Sequence, residues 1–270
     1  MNKQLAGRTS ERPGAALSRI PAALHGWIVP VAILLIWQLA AALHLVSATL
    51  LPAPSQIIGQ AFRLLGNGEL LQHMGISLYR AGVGFALGSA AGLLLGLSTG
   101  LGKLAERTLD PSLQMLRMIP MLSLVPLFIL WFGVGEFSKI LMISLGAFFP
   151  VYVNTFLGIR GVELKLLEVT GIYQFTRWQL LSRVIIPSAL PNILLGLRLS
   201  LGTAWLVLVV AEMMGASAGV GYMIQDARAY SQTDIVFVGI SIFAIVGKLS
   251  DSAVRLLEKR WLRWRDTYKG

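Results

Sequence analysis

Apolar positions gather in six charge-poor stretches, at about 27–46, 80–100, 113–132, 139–158, 191–213 and 235–256, separated by shorter polar segments. At about 1.5 Å of rise per residue, each stretch is long enough as a helix to cross a hydrocarbon core of roughly 30 Å. A run of this kind predicts helix because a helix satisfies its own backbone where no water is available. The pattern predicts an all-α, polytopic membrane protein: six transmembrane helices in a single domain over 27–257, between polar tails at 1–26 and 258–270.

The first stretch, WIVPVAILLIWQLAAALHLV, exceeds the apolar core of a cleaved signal peptide and is read as a retained span. Pro52 and Pro54 then interrupt the chain, and the rest of 50–74 is expected to form a short amphipathic helix outside the bilayer. The second span carries glycine at 84, 88, 92, 96 and 100, one smooth helix face of the kind that lets helices approach closely in lipid. That face is expected to pack either within one subunit or between two. The third span contains Pro120 and Pro126, so a kinked or interrupted helix is expected. Such a break persists only where protein or a water-filled cavity satisfies the backbone, which makes it a structural kink or a pathway wall.

Composition agrees with the pattern: 55% of residues are apolar and only 13% charged. The net charge of +10 reads here as topology rather than as affinity for nucleic acid. With the N-terminus inside, basic residues in the loops and tails divide 15 inside to 3 outside, which predicts both termini in the cytoplasm. The absence of cysteine excludes disulfides, thiolate metal sites and cysteine nucleophiles, and His25, His44 and His73 have no metal-ligand spacing. No metal site is expected.

Between the fourth and fifth spans lies a polar insert, 159–190. Val162, Leu166, Val169 and Tyr173 recur at helical spacing, which places an apolar stripe on a cytoplasmic helix. Such a stripe fits a partner protein, or lipid headgroups with the basic residues as anchors.

The stretch EVTGIYQFTRWQLLSRVIIPSALP, 168–191, resembles the EAA loop of permease subunits in bacterial ABC importers. Further stretches are similar to the nitrate, sulfonate and taurine branch: LPAPSQII at 51–58, SLQMLRMIPMLSLVPLFILWFGVGEFSKI at 112–140, FPVYVNTFLGIR at 149–160 and VVAEMMGASAGVGYMIQDAR at 209–228. Within that branch the resemblance is nearest to the aliphatic-sulfonate permease subunits. It implies a type I importer permease in the bacterial inner membrane, paired with a second copy of itself. It also implies a cytoplasmic ABC ATPase dimer that holds ATP and Mg, and a periplasmic binding protein that delivers substrate. Taurine, nitrate and a pyrimidine vitamin precursor are the competing substrates within the class.

By the same resemblance, the ATPase-coupling residues are Glu163, Leu166, Glu168, Val169, Thr170, Gly171, Tyr173 and Gln174. Glu168 matches the motif's glutamate, Val169 and Thr170 replace its two alanines, and Pro187 and Pro191 match its prolines. Gln174 stands where the family usually has glycine, which affects the turn between the two short helices.

The chain carries no GxxxxGK[ST] pattern, so no ATP chemistry and no cofactor are expected on it. Nor is a nucleophile–base pair evident at membrane depth, so the chain is expected to be a non-catalytic subunit that works by alternating access. A secondary transporter, the reading from another class, requires coupling-ion carboxylates near the midplane and paired broken helices, and neither is evident. Arg117, Pro120, Pro126, Arg198 and Glu212 are the translocation-pathway candidates. Arg117, Arg198 and Lys248 lie in the inner half of the spans, where anion attraction competes with anchoring, or with pairing of Lys248 to Asp251.

Overall fold

A computed structural model describes residues 22–262, with side chains from 28 onward, and every regular element among them is helical. The tails expected over 1–26 and 258–270 fall outside the described residues at 1–21 and 263–270. The chain forms two compact units, one ending at Gly59 and one beginning at Gln60.

In the first unit, α1 spans Ala22–Ala42. It begins and ends earlier than the stretch expected at 27–46, because His44 adopts a left-handed φ of 55° and closes the helix. The amides of His44 and Leu45 turn back to the carbonyls of Ala41 and Ala40, the paired bonds of a Schellman stop. Gln38 then holds Ser55 through both ends of its amide, at 3.1 and 3.2 Å. Helix α2 follows at Pro54–Gly66 and runs into the second unit.

The second unit is organised around three long helices: α3 (Glu69–Leu101), α6 (Glu136–Arg160) and α9 (Ile186–Met213). Helix α3 starts eleven residues before the expected span because Gly68, at φ 80°, turns the chain and the Asn67 carboxamide oxygen accepts the Glu69 amide. Its glycine stripe lies flat on α6. A Cβ on Gly84 would stand 2.6 Å from Ile143, on Gly92 2.6 Å from the Phe148 carbonyl and on Gly96 2.7 Å from Thr155. The stripe therefore packs within one chain rather than between two.

Helix α6 is used on its other side as well. Gly146, Gly158 and Gly196 bring it against α9, where added Cβ atoms would fall 2.8–2.9 Å from Val207, Asn192 and Asn154 respectively. Pro150 lacks an amide, so the Gly146 carbonyl loses its helical donor. The Thr203 hydroxyl of α9 supplies the replacement at 3.0 Å, and Ser200 donates to the neighbouring Ala147 carbonyl at 2.7 Å. A backbone defect in one helix thereby becomes a tie to the next.

Two expectations about the third span are corrected. Residues 101–112, expected as a loop, are mostly helical and belong to α4 (Lys103–Arg117). The stretch 113–132 is not one helix, because a 3-10 turn at Met121–Leu124 leads into α5 (Val125–Phe132), and the two arms meet at 86°. Pro120 causes the break, since it precedes the 3-10 turn in extended backbone with ψ 117°. Pro126 causes none. It occupies the first turn of α5, where a missing amide costs nothing.

The insert folds as α7 (Leu164–Ile172), α8 (Arg177–Leu180) and a π turn at Leu181–Ile185 that runs directly into α9. The fifth span therefore begins well before residue 191. The π turn sits just ahead of Pro187, where a regular helix would need an amide that proline lacks. Helices α10 (Val220–Ala229) and α11 (Thr233–Trp261) complete the chain. Four helices are long and apolar enough to cross a bilayer, five if the bent pair is one span, and Ile28–Ala42 is a shorter apolar helix. The expected count of six is thus not reached among the described residues.

Candidate functional site

Helix α7 lies between the α6 and α9 membrane spans and buries very little of itself. Thr170 faces the chain, with its hydroxyl donated to the Leu167 carbonyl at 2.7 Å. Leu166, Val169 and Tyr173 are exposed as the stripe requires, and the most open apolar positions are Ile172 at 80% and Leu164 at 75%. These two were missed in the sequence, although both fall at helical spacing from Glu168. Glu163 precedes the helix as its N-cap residue, and Glu168 is exposed on it. Gly171 is also exposed, with no atom within 4 Å of the place a Cβ would occupy.

Gln174 adopts φ 50°, the left-handed conformation that glycine would take there. Its amide donates to the Gly171 carbonyl and the Phe175 amide to the Thr170 carbonyl, both at 3.1 Å. This is the complete Schellman pair, so the turn forms without glycine. Thr176 then opens the next helix with a reciprocal capping box to Gln179.

A cavity of about 680 Å³ lies where the broken third span meets α6 and α9. Its walls include Met121, Phe149, Val153, Leu206 and Val210, with Arg117, Asn154 and Thr203 as the polar exceptions. Of the pathway candidates only Arg117 lines it. Pro120 shapes the bend beside it, and Pro126 starts α5.

Arg198 and Glu212 are committed elsewhere. The Arg198 guanidinium donates to Asp251 at 2.6 Å, and Arg255 donates to the other oxygen of the same carboxylate at 2.8 Å. Asp251 thus pairs with α9 and with its own next turn rather than with Lys248. Glu212 is enclosed at the opposite end of α9. Arg80 donates to it at 2.8 Å, the Ser77 hydroxyl is 2.8 Å from both of its oxygens, and the Gly221 amide donates at 2.9 Å. Arg80 also forks onto Glu136 at 2.5 and 2.6 Å and reaches the Ala218 carbonyl. The sequence signal for this cluster was a lone Arg at a span end, indistinguishable there from a headgroup anchor.

A model of the family described as "Binding-protein-dependent transport system inner membrane component" matches residues 88–263. A putative aliphatic sulfonates transport permease protein of Bacillus subtilis (strain 168) is 55% identical over 275 positions, covering all of both chains. A protein of the same description from Escherichia coli (strain K12) is 46% identical over 90% of this chain and 92% of its own. A taurine transport system permease protein of Escherichia coli (strain K12) is 35% identical over 86% of each. The chain therefore belongs to the family of inner membrane components of binding-protein-dependent transport systems, as a multi-pass ABC permease subunit.

Proposed function

We propose that the chain is the translocating subunit of an ATP-driven importer for aliphatic sulfonates in the bacterial inner membrane, with both termini in the cytoplasm. It works as a homodimer, served by a periplasmic binding protein and driven by an ABC ATPase dimer that holds ATP and Mg. The chain itself carries no catalysis. The observation that carries this reading is the exposed apolar face of α7, set between two membrane spans and fixed by the turn at Gln174. A helix that short, with Leu164, Ile172 and Tyr173 in the open, fits the groove of a partner that pulls on both spans at once. Closure of the ATPase then draws α7 inward and switches the spans between outward and inward openings as rigid bodies.

The sulfonate assignment rests on the two relatives whose names state it. Against the secondary-transporter reading, Glu212, the buried acidic residue among those described, is neutralised by Arg80. The test is ATP hydrolysis in proteoliposomes holding this chain, its ATPase and its binding protein, with alkanesulfonates, taurine, nitrate and a pyrimidine as ligands. Stimulation by alkanesulfonates, abolished by Glu168→Arg while the complex stays folded, is the expected result. Stimulation by taurine or another ligand alone replaces the substrate, and no association with an ATPase overturns the reading.

A further inference from the structure

Two of the arginines in the spans are already satisfied. Arg80 is held by Glu136 and Glu212, and Arg198 by Asp251. Arg117 has no ion-pair partner among the described residues, and it is the only charged side chain among those lining the cavity at the bend. Of the other polar lining groups, Thr203 lies within donating distance of backbone carbonyls of α6 and α9, and the Asn154 side-chain amide donates to the Pro150 carbonyl at 2.8 Å. What remains is an apolar chamber with one unneutralised guanidinium.

We propose that this cavity is the intramembrane site for the transported alkanesulfonate, with Arg117 holding the sulfonate head and the walls formed by Phe149, Val153, Leu206 and Val210 taking the alkyl chain. The assignment rests on the substrate reading above. A guanidinium stays charged at any physiological pH and presents several donors in one plane, a match for the oxygens of a sulfonate. Arg117 ends α4 as an exposed residue at the bend, so its guanidinium is open to an anion that enters the cavity. The same lining offers no carboxylate to an ammonium group, so a zwitterion such as taurine gains from its sulfonate end only. One charge contact with apolar walls also gives the weak, reversible hold that a pathway requires.

The test uses the complete importer in proteoliposomes, saturated with loaded binding protein so that capture is constant, and follows uptake of radiolabelled hexanesulfonate and methanesulfonate. Arg117→Gln is expected to lower uptake of both by about tenfold or more, with Arg117→Lys recovering a substantial part, while hydrolysis stimulated by the loaded binding protein persists. Leu206→Trp, which fills the apolar wall, is expected to reduce hexanesulfonate uptake more than methanesulfonate uptake. If Arg117→Gln does not assemble, Arg117→Lys and Leu206→Trp decide the matter. Uptake of hexanesulfonate at the wild-type rate by Arg117→Gln, or an unchanged chain-length ratio in Leu206→Trp, overturns the cavity assignment alone. A wild-type complex that imports another anion but no alkanesulfonate overturns the substrate reading and this proposal with it.

Discussion

Arg80 on α3 and Glu212 on α9 meet at 2.8 Å, each about 1% exposed, 132 residues apart in the chain. Ser77 and the Gly221 amide complete the carboxylate's shell, and the Val220 amide donates to the Ser77 hydroxyl at 2.9 Å. The segment between α9 and α10 is thereby held against α3. Gly219 is required there, because its φ is +117° and a Cβ would run into the Glu212 carboxylate.

Removal of Arg80 strands the buried Glu212 carboxylate, whereas removal of Glu212 leaves Arg80 its fork onto Glu136. Arg80→Ala is expected to destabilise the chain by about 3–5 kcal/mol and Glu212→Ala by less, with the double variant clearly below the sum. Unfolding in detergent or nanodiscs, read as a double-mutant cycle, checks this. Additive losses would show that the two side chains do not act as a pair.

The glycine stripe provides its own control on the same helix. Gly88→Val forces a side chain into the Ser144 carbonyl and Ala147 on α6, with an expected loss of about 1–3 kcal/mol. Gly82→Ala, with nothing within 4 Å of its Cβ, is expected to be neutral or to gain up to about 1 kcal/mol from helix propensity. Equal behaviour of the two in thermal unfolding would contradict the packing described.

Thr203→Val leaves the Gly146 carbonyl without a donor and is expected to cost about 1 kcal/mol. Pro150→Ala restores the missing backbone amide, so the loss from Thr203→Val should shrink markedly in that background. A loss of the same size in both backgrounds would mean that the hydroxyl acts elsewhere.

At the end of α7, Gln174→Gly removes the Cβ from a left-handed residue and is expected to steady the turn by about 1 kcal/mol, whereas Gln174→Val should weaken it. Amide exchange across 170–176 would rise in the valine variant and fall in the glycine one. The reverse order would refute the turn geometry.

Much of the architecture was legible in local pattern. The glycine period at 84–100 announced a close helix pair, because every fourth residue of a helix returns to the same face. The stripe Leu166, Val169, Tyr173 announced an unpartnered surface for the same reason. Pro120 announced a break, although its depth was not legible: an 86° bend depends on what the two arms pack against, and a proline states only that an amide is missing.

The sequence by itself determined the all-helical class, the placement of most membrane segments and the identity of the exposed insert, since hydropathy and helical periodicity are properties of neighbouring residues. Only the tertiary structure decided that the glycine stripe serves α6, that Asp251 takes Arg198 instead of Lys248, and that Glu212 is locked to Arg80 while Arg117 stays open to a cavity. Those pairings join residues tens to more than a hundred positions apart. A charge in a span looks the same in the sequence whether or not it is neutralised, and only the packing of distant helices supplies or withholds its partner.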